Sequence, residues 1–346
     1  MNRVKIGACL VPALLLATAA AVAGPLDPPA GPISGTGKTT QEIYDKVAQG
    51  QSRTPLSAAT TPGDSDSMFA ISQPGSYYLT ADLYVAVGKS GIKINNGAAS
   101  NVTIDLNGFT IHGGNATLDG IRTTLIAGGT SLRIYNGVIT SMGGNGLNVY
   151  GQTLDLSQVA AEFCGQDGLA FSGSAITVKD CRAFWNTGDG FHSTSTVHMN
   201  DCAAELNTAN GIEVASGIVS RCTVASSGGR GITGNFALQV TDCQVNSSGD
   251  GITVANSSTV ARNSVTVPST RVAVHATGQG NRIEENNVQG AATGIQVDSS
   301  SGNVVVKNSA HANTTPYSIP AGNFTGPVIT TAAGVGAAGA WANFAY

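Results

Sequence analysis

The chain has 346 residues, of which 45 are Gly, while charged and aromatic residues make up only 11% and 5%. So much Gly without a collagen triplet, together with many Val, Ile, Thr and Asn residues, is typical of short strands joined by tight turns. The chain has 17 basic and 21 acidic residues. If residues 1–23 are removed as a signal peptide, Arg3 and Lys5 are lost, and the remaining 15 basic and 21 acidic residues give a net charge of −6. This balance disfavours nucleic acid as a partner, and it disfavours acidic polysaccharides unless a cation bridges them.

Residues 1–23 have the features of a secretory signal peptide. Arg3 and Lys5 form a positive n-region, residues 10–22 are apolar, and Ala23 precedes Gly24 at a small-residue cleavage site. We therefore predict a secreted or periplasmic protein that is cleaved near Ala23-Gly24. No later run of about 18 apolar residues exists, so no membrane span is predicted.

Residues 24–67 are rich in Pro, Gly, Ser and Thr and are predicted to be an N-terminal linker. Within it, the sequence Thr-Thr-Gln-Glu at 39–42 fits a capping box, which predicts a short amphipathic helix at about residues 40–48. This helix is either loosely docked or a cap over the open first coil, because repeat stacks need such caps against aggregation.

A Gly followed by an apolar residue returns about every twenty residues between 91 and 297. The central intervals are 22, 22, 21, 20 and 20 residues, and a fixed period of this size indicates stacked repeats. The apolar runs between turn residues are too short for helices and suit strands. One repeat, near Arg271, lacks its Gly. The repeated glycines are Gly91, Gly120, Gly146, Gly168, Gly190, Gly211, Gly231, Gly251 and Gly294.

Two columns appear when the repeats are aligned on these glycines. The cysteine column is Cys181, Cys202, Cys222 and Cys243, and Asn263, Asn286 and Asn308 continue it. The charge column immediately before it is Asp180, Asp201, Arg221, Asp242, Arg262, Glu285 and Lys307, with signs that alternate from Asp201 onward. Strands of a sheet lie about 4.8 Å apart, so opposite charges at that spacing attract each other. The columns therefore predict parallel strands stacked in register.

Five cysteines remain after loss of Cys9, an odd number for a full set of disulfides. Cβ atoms in one column point the same way and stay about one strand step apart, beyond the usual separation of about 3.5–4.5 Å in a disulfide. We therefore favour buried, stacked thiols. A disulfide such as Cys181–Cys202 and metal binding are the alternatives.

The period is lost from Thr314, and residues 321–346 are predicted to form a C-terminal capping tail. Residues 332–340 are almost all Ala and Gly, and Trp341, Phe344 and Tyr346 follow. We expect these aromatic side chains to dock on the last coil.

The repeats, the phrase Gln-Pro-Gly-Ser-Tyr-Tyr-Leu-Thr at 73–80 and the phrase Val-Thr-Ile-Asp-Leu-Asn-Gly-Phe at 102–109 resemble bacterial secreted right-handed parallel β-helix proteins of the pectate-lyase-like superfold. The resemblance covers about residues 68–320. It implies an all-β, single-stranded right-handed parallel β-helix, a solenoid of about ten coils, with the short N-terminal helix and the aromatic tail. The superfold contains lyases, hydrolases, epimerases and adhesins, so this fold does not define an activity.

The catalytic motifs of the superfold's enzymes are mostly missing. The Asn-Thr-Asp of polygalacturonases is interrupted at 186–189, where the sequence reads Asn-Thr-Gly-Asp, and the Asp-Pro-His-Asp of mannuronan epimerases is absent. The Arg-x-Pro-x-x-Arg of pectate lyases survives only as Pro268 and Arg271. Coils of 20–22 residues also leave little room for the long loops that wall a catalytic cleft.

The remaining candidates lie two or four positions after a repeated Gly, where side chains alternate to the outside of the predicted strand. His192 and Glu213 occupy the first of these positions in adjacent coils and could form a His–carboxylate pair for acid–base catalysis. The alternative is a surface ion pair of little energetic consequence. The predicted catalytic residues are His192, Glu213, Arg122 and Tyr150, and the predicted substrate-binding residues are Lys93, Asn148, Asn235 and Gln296.

The other carboxylates have structural interpretations. Asp167, Asp189 and Asp250 each precede a repeated Gly and are predicted turn residues, since Asn210 and Arg230 hold this position in other coils. The alternating column accounts for the acidic residues before the cysteines. The sequence therefore predicts no metal ligand and no cofactor, and calcium is retained only as a cofactor of the alternative lyase.

Two classes of function are consistent with the sequence. The first is a non-catalytic exported protein whose long face binds a polysaccharide or a cell-envelope glycan. The absence of long loops from the predicted coils and the missing catalytic motifs favour this class, which also includes adhesins. The second is a polysaccharide lyase, glycoside hydrolase or related enzyme. A walled cleft or a strongly shifted pKa for His192 or Glu213 favours the enzyme, and a flat face disfavours it. The oligomeric state is not predicted.

Overall fold

The computed structural model describes residues 53–95, 101–124 and 130–346. The predicted signal peptide and the predicted helix at 40–48 lie outside these residues. Within them, no helix is both long and apolar enough to cross a membrane.

The described residues form short strands and one helical turn. The strands before residue 130 are Arg53–Pro55, Pro62–Asp64, Ser67–Ile71, Gly75–Tyr78, Leu83–Tyr84, Ser90–Ile94, Asn101–Asp105, Thr110–His112 and Ile121–Thr123. Longer strands then turn corners between sheets without a break: Ser131–Thr140, Leu147–Glu162, Leu169–Lys179, Phe191–Asn200 and Ile212–Ser220, with Arg182–Phe184, Ala203–Glu205 and Thr223–Ala225 between or after them.

Beyond residue 230 each coil has separate short strands. These are Ile232–Phe236, Leu238–Thr241, Gln244–Asn246, Ile252–Asn256, Thr259–Ala261, Ser264–Thr266, Val272–Ala276, Arg282–Glu284, Asn287–Gln289, Thr293–Val297, Val304–Val306, Ser309–His311 and Thr315–Ser318. The C-terminal part contains Phe324–Thr325, Val328–Ile329, the helical turn Ala332–Val335 and Asn343–Ala345.

Successive coils pair as parallel strands, which confirms the predicted right-handed parallel β-helix. In the first sheet, formed by the strands that follow the repeated glycines, Leu147 pairs with Leu169 and Leu169 with Phe191. In the second and third sheets the same coils pair, for example at Leu156 with Val178 and at Ala161 with Ala183. An antiparallel pairing joins Pro62–Asp64 to Ser67–Ile71.

The solenoid has about 12 coils rather than the predicted ten. The additional coils contain Ser67–Ile71 and Thr315–Ser318, whose first-sheet strands have no Gly-apolar phrase and were therefore not counted. Pairing also begins inside the predicted linker, because Arg53–Pro55 is already parallel to Gly75–Tyr78. At the other end, Asn343–Ala345 pairs with Ser309–His311, the Tyr346 ring lies 5.0 Å from that of His311, and the Lys307 ammonium lies 5.0 Å from the centre of the Trp341 ring. The tail therefore contacts the last coils through its backbone and through these aromatic side chains, although Trp341 and Tyr346 stay more than half exposed.

Apolar side chains fill the interior of the coils in rows. Ile92, Ile121, Leu147, Leu169 and Phe191 are fully buried at the same position of successive first-sheet strands. Burial of such side chains contributes about 25 cal/mol per Å² of apolar surface and is the main favourable term in folding. The repeated apolar positions of the sequence are thus the core of the solenoid.

The cysteine column is buried, and its thiols are free, as predicted. Each thiol donates to the carbonyl two residues earlier, for instance Cys222 Sγ to the Ser220 oxygen at 3.3 Å. The Asn residues that continue the column form a ladder of side-chain amides. Asn263 Nδ2 donates to Asn286 Oδ1 at 3.0 Å, Asn286 to Asn308 at 3.0 Å, and Asn308 to Asn343 at 3.1 Å. The last member, Asn343, was not predicted because it lies in the aperiodic tail.

The charge column forms ion pairs between neighbouring coils. Its members adopt left-handed φ angles between 52° and 58°, which turn the chain from the second sheet to the third. These pairs are exposed and add little stability, but they favour the observed register. The pairs are Arg221 with Asp201 at 2.8 Å, Arg262 with Asp242 at 2.8 Å, and Lys307 with Glu285 at 3.1 Å.

We predict that Asn286→Ala lowers the free energy of unfolding by about 1–3 kcal/mol, because it leaves the buried amide of Asn263 without its acceptor. Asn287→Ala is the matched control, since the adjacent side chain is exposed, and a change within about 0.5 kcal/mol is expected. Urea unfolding followed by circular dichroism measures both. Equal effects of the two substitutions would show that the ladder does not stabilise the solenoid.

Candidate functional site

The outer face of the first sheet carries one column of side chains in register. It runs Lys93, Arg122, Asn148, Ala170, His192, Glu213, Thr233, Thr253, His275 and Gln296. The outward residue of the coil that lacks a Gly is His275, which differs from the residue that the repeat spacing predicts. The coil without a Gly is two residues longer than the preceding coil, so Val274 rather than Val272 pairs with Ile252. His275 therefore takes the outward position that counting two residues on from Arg271 would give to Ala273. An alignment of Val274-His275-Ala276 with Ile295-Gln296-Val297 in the next coil identifies this outward position of His275 from the sequence.

A groove of about 280 Å³ crosses this column at Ala170. The small side chains of Ala170 and Ser172 form its floor, because the coils on either side carry larger ones. Asn148 and Tyr150 line one side, and His192 lines the other. Three of the predicted site residues, Asn148, Tyr150 and His192, therefore line one groove. Its sides are the two coils next to that of Ala170, each about one strand spacing away.

His192 is paired with Asp189, which the sequence interpretation treated only as a turn residue. The ring nitrogen Nδ1 lies 3.0 Å from Asp189 Oδ2. The Asp189 side chain is only 10% exposed, whereas that of His192 is 35% exposed. Pairing at Nδ1 fixes the tautomer and leaves Nε2 as the nitrogen available to a ligand.

Asp189 is held in place by the turns above and below it. Its Oδ1 accepts a hydrogen bond from the Asn210 amide at 2.7 Å, and its own amide donates to Asp167 Oδ1 at 2.8 Å. The same bond recurs between the Asp167 amide and Asn145 Oδ1 at 3.0 Å. Asp189 is thus both a turn residue and the partner of His192, because its Oδ1 bonds to the neighbouring turn and its Oδ2 bonds to His192.

The hydrogen bond that His192 donates to Asp189 raises the pKa of His192 above its ordinary value of 6.5, and partial burial of the ring opposes this rise. Burial raises the pKa of Asp167. The charges of Asp167, Asp189 and Glu213 all favour the protonated ring. His192 is therefore a base of increased strength within an acidic surrounding.

Glu213 lies beside His192 in the next coil, but its carboxylate accepts from Asn210 Nδ2 at 2.6 Å. One ligand atom each from Asp189, His192 and Glu213 lie within 4.8 Å of one another. Such a set of one imidazole and two carboxylates could hold a divalent transition-metal ion. No metal ligand was predicted here, because Asp189 was predicted to be a turn residue.

Arg122 and Lys93 do not reach the groove. Both pair with Asp66, and Lys93 also pairs with Asp64. The turn that carries these two acidic residues precedes Ser67–Ile71, a strand that the repeat pattern did not detect. The two cations nearest to the groove in its column are therefore already neutralised.

The other predicted residues divide between the groove and the rest of the face. Asn148 lines the groove and donates from Nδ2 to Asp119 Oδ2 at 3.2 Å. Asn235 is exposed, several coils away. Gln296 lies further along and donates to Asp298 Oδ1 at 2.8 Å, and Asp298 also accepts from His275 Nε2 at 2.8 Å.

The fold and this outward column define a right-handed parallel β-helix protein. The sequence matches the family described as right handed beta helix region over residues 90–266 and 231–331, more than half of the chain, and the protein belongs to that family. No curated protein matches the sequence.

Two solved structures share the fold. The A-module of the Azotobacter vinelandii mannuronan C-5 epimerase AlgE4 is 16% identical with a TM-score of 0.61, covering 82% of this chain and 93% of that one. The A-module of the Azotobacter vinelandii mannuronan C-5 epimerase AlgE6 is 14% identical with a TM-score of 0.53, covering 88% of this chain and 92% of that one. At this level of identity the likeness extends to the fold.

We predict that Asp189→Asn lowers the pKa of His192, because the amide keeps the shape of the turn but removes the charge that stabilises the protonated ring. A proton NMR titration of the His192 ring in EDTA measures this pKa. Asp250→Asn is the matched control, since Asp250 holds the same turn position and the residue three positions later is Thr253 instead of His. A pKa that stays raised in Asp189→Asn would contradict the assignment.

The same pair makes stability depend on pH. A folded pKa above the unfolded value stabilises the fold below the unfolded pKa, and this contribution is lost as pH rises through the folded pKa. We therefore expect Asp189→Asn to lower the melting temperature more at about pH 5.5 than at about pH 8.5. An equal loss at both values would show that the charge of His192 is not involved.

Proposed function

We propose that this chain is an exported polysaccharide-binding protein that holds one sugar residue in the groove at Ala170. The observation that carries the proposal is the groove itself, a gap of one coil between polar side chains on an otherwise regular face. The signal-like leader at residues 1–23 supports export, and the proteins of similar fold support a polysaccharide partner, since both are named mannuronan C-5 epimerases.

The chemistry of the lining fits a sugar ring. Tyr150 is 42% exposed and offers both an aromatic face and a hydroxyl group. Asn148 and His192 Nε2 supply further hydrogen-bonding groups to sugar hydroxyls, which both donate and accept. We propose that the affinity comes from these few contacts and from neighbouring sugars along the face.

The charges around the groove select among polysaccharides. Asp167, Asp189 and Glu213 act on His192, while Arg122 and Lys93 are paired elsewhere. This excess of negative charge repels a uronate unless a cation intervenes. We therefore propose neutral sugars as the ligands in the absence of metal, and uronates only when a divalent ion occupies Asp189, His192 and Glu213.

The second candidate is a proton-transfer enzyme on uronate polysaccharides, and the pairing of His192 with Asp189 beside Tyr150 favours it. Lyase and epimerase reactions both begin with removal of a proton next to a carboxylate, which needs a base and neutralisation of the carboxylate. His192 Nε2 is the base that the geometry offers. The groove has no free Arg or Lys among the described residues, so a bound cation must neutralise the carboxylate.

We predict that Ala170→Phe weakens binding of neutral oligosaccharides at least about tenfold, because the ring fills the groove. Ala255→Phe is the matched control, an outward Ala further along the same sheet and away from the groove. Isothermal titration calorimetry with cello-, xylo- and mannohexaose in EDTA measures both. Binding that Ala170→Phe leaves unchanged would place the ligand elsewhere.

The binding proposal predicts no turnover. Pectate, alginate, hyaluronan and chondroitin are incubated with and without calcium or zinc, with ultraviolet absorbance reporting an unsaturated product and proton NMR reporting the uronate epimers. No change in either readout is expected. A change that His192→Ala abolishes, and that His198→Ala on the same strand retains, would establish the enzyme instead.

A further inference from the structure

Three aromatic side chains form an exposed cluster where the third sheet turns towards the first. Phe163 and Trp185 occupy the same position in adjacent coils, with ring centroids 6.2 Å apart and an interplanar angle of 28°. Phe184 packs edge-on against both, at 6.0 Å and 6.1 Å. Phe163 and Trp185 are each 51% exposed. We call these three residues the aromatic platform.

The fold does not require aromatic residues at this corner. Phe163 and Trp185 both have φ of 56°, in the left-handed region that bulky residues avoid. Ser141 and Ser226 adopt the same conformation at the equivalent position of nearby coils, with φ of 58° and 54°. Two large apolar side chains thus occupy a strained and exposed position that Ser can fill, which points to a ligand.

A cavity of about 300 Å³ lies beside the platform. Phe163 and Trp185 line it together with the polar groups of Asn115 and Thr187. Its floor includes bare backbone at Gly165, where a Cβ atom would lie only 2.4 Å from the Gly143 oxygen. A ring placed on the aromatic faces therefore has polar groups and exposed peptide within reach.

Charged groups at the rim alternate in sign. The Arg182 guanidinium lies 4.8 Å from the centre of the Phe184 ring and contacts Glu205 only loosely, at 3.9 Å. Glu162 and Glu205 flank Phe184 in the coils on either side. One cation between two carboxylates suits hydroxyl groups, which donate to carboxylates and accept from guanidinium, and it disfavours a polyanion.

We propose that the aromatic platform is a second sugar subsite, which stacks neutral pyranose rings on Trp185 and Phe163. The axial C–H groups of a pyranose carry partial positive charge and match the negative face of an aromatic ring. The platform and the groove lie on the same coils, on opposite sides of the turn that contains Asp167 and Asp189. The inference rests on the proposed polysaccharide ligand. It adds a second contact with that ligand at the aromatic platform, whose residues do not line the groove.

The chain contains only two Trp residues, so fluorescence can test the platform directly. The mature protein with Trp341→Phe leaves Trp185 as the sole Trp. It is titrated with cello-, xylo- and mannohexaose in EDTA, and the affinities are measured in parallel by calorimetry. Trp185→Ser and Phe163→Ser reproduce the residue of nearby coils and should fold normally, and Leu206→Ser, the next apolar residue of the same corner, is the matched control.

The proposal predicts a saturable change in Trp185 emission with a neutral hexasaccharide, whether or not Ala170→Phe changes its affinity. Trp185→Ser should weaken the platform affinity at least about tenfold, and Leu206→Ser should change it less than about twofold. Calorimetric binding that Ala170→Phe abolishes, without any change of Trp185 emission, would overturn the platform and leave the groove intact. Absence of binding to every oligosaccharide would overturn both.

Discussion

Each coil of this protein is held one strand step from the next by parallel backbone hydrogen bonds, and every other feature depends on that spacing. The same position in successive coils is always in contact, so each side chain must be compatible with the residue above and below it. Asn286 satisfies this rule by donating to one neighbour while accepting from the other. Arg221 satisfies it by pairing with Asp201, and the buried thiols by donating to nearby carbonyls.

The same constraint produces the two candidate binding surfaces. A regular column is flat, so a single small residue such as Ala170 between larger neighbours opens a groove, with no need for a long loop. A pair of large residues such as Phe163 and Trp185 in adjacent coils likewise forms a stacked surface at one corner. A solenoid of short coils can therefore acquire binding sites by substitution within a column. The repeating backbone stays unchanged.

The fold was predictable because the constraint acts on every coil and so repeats in the sequence. The Gly-apolar phrase, the cysteine column and the alternating charges each report the same stacking, and the structure confirms all three. Coils without the phrase, such as the one that contains Ser67–Ile71, were not counted. His275 was misplaced because its coil is two residues longer than the preceding one and lacks the Gly that marks the start of the strand in other coils.

The site was predictable only in part, because its residues come from two different patterns. His192, Tyr150 and Asn148 lie on the outward face of two first-sheet strands and were predicted by alternation alone. Asp189 sits in a turn whose carboxylate already has a structural explanation, so nothing in the spacing marks its second role. The pairing of Arg122 with Asp66 was not predicted, because Asp66 lies in a turn outside the periodic stretch.

The central claim is that a sugar occupies the groove beside His192. The most direct measurement follows the ring resonances of the five His residues by NMR while a neutral hexasaccharide is added in EDTA. The account predicts that the His192 signal shifts saturably with the calorimetric affinity, while those of His112 and His311, on the third sheet, do not move. A ligand that saturates the protein and leaves the His192 signal unchanged would contradict it.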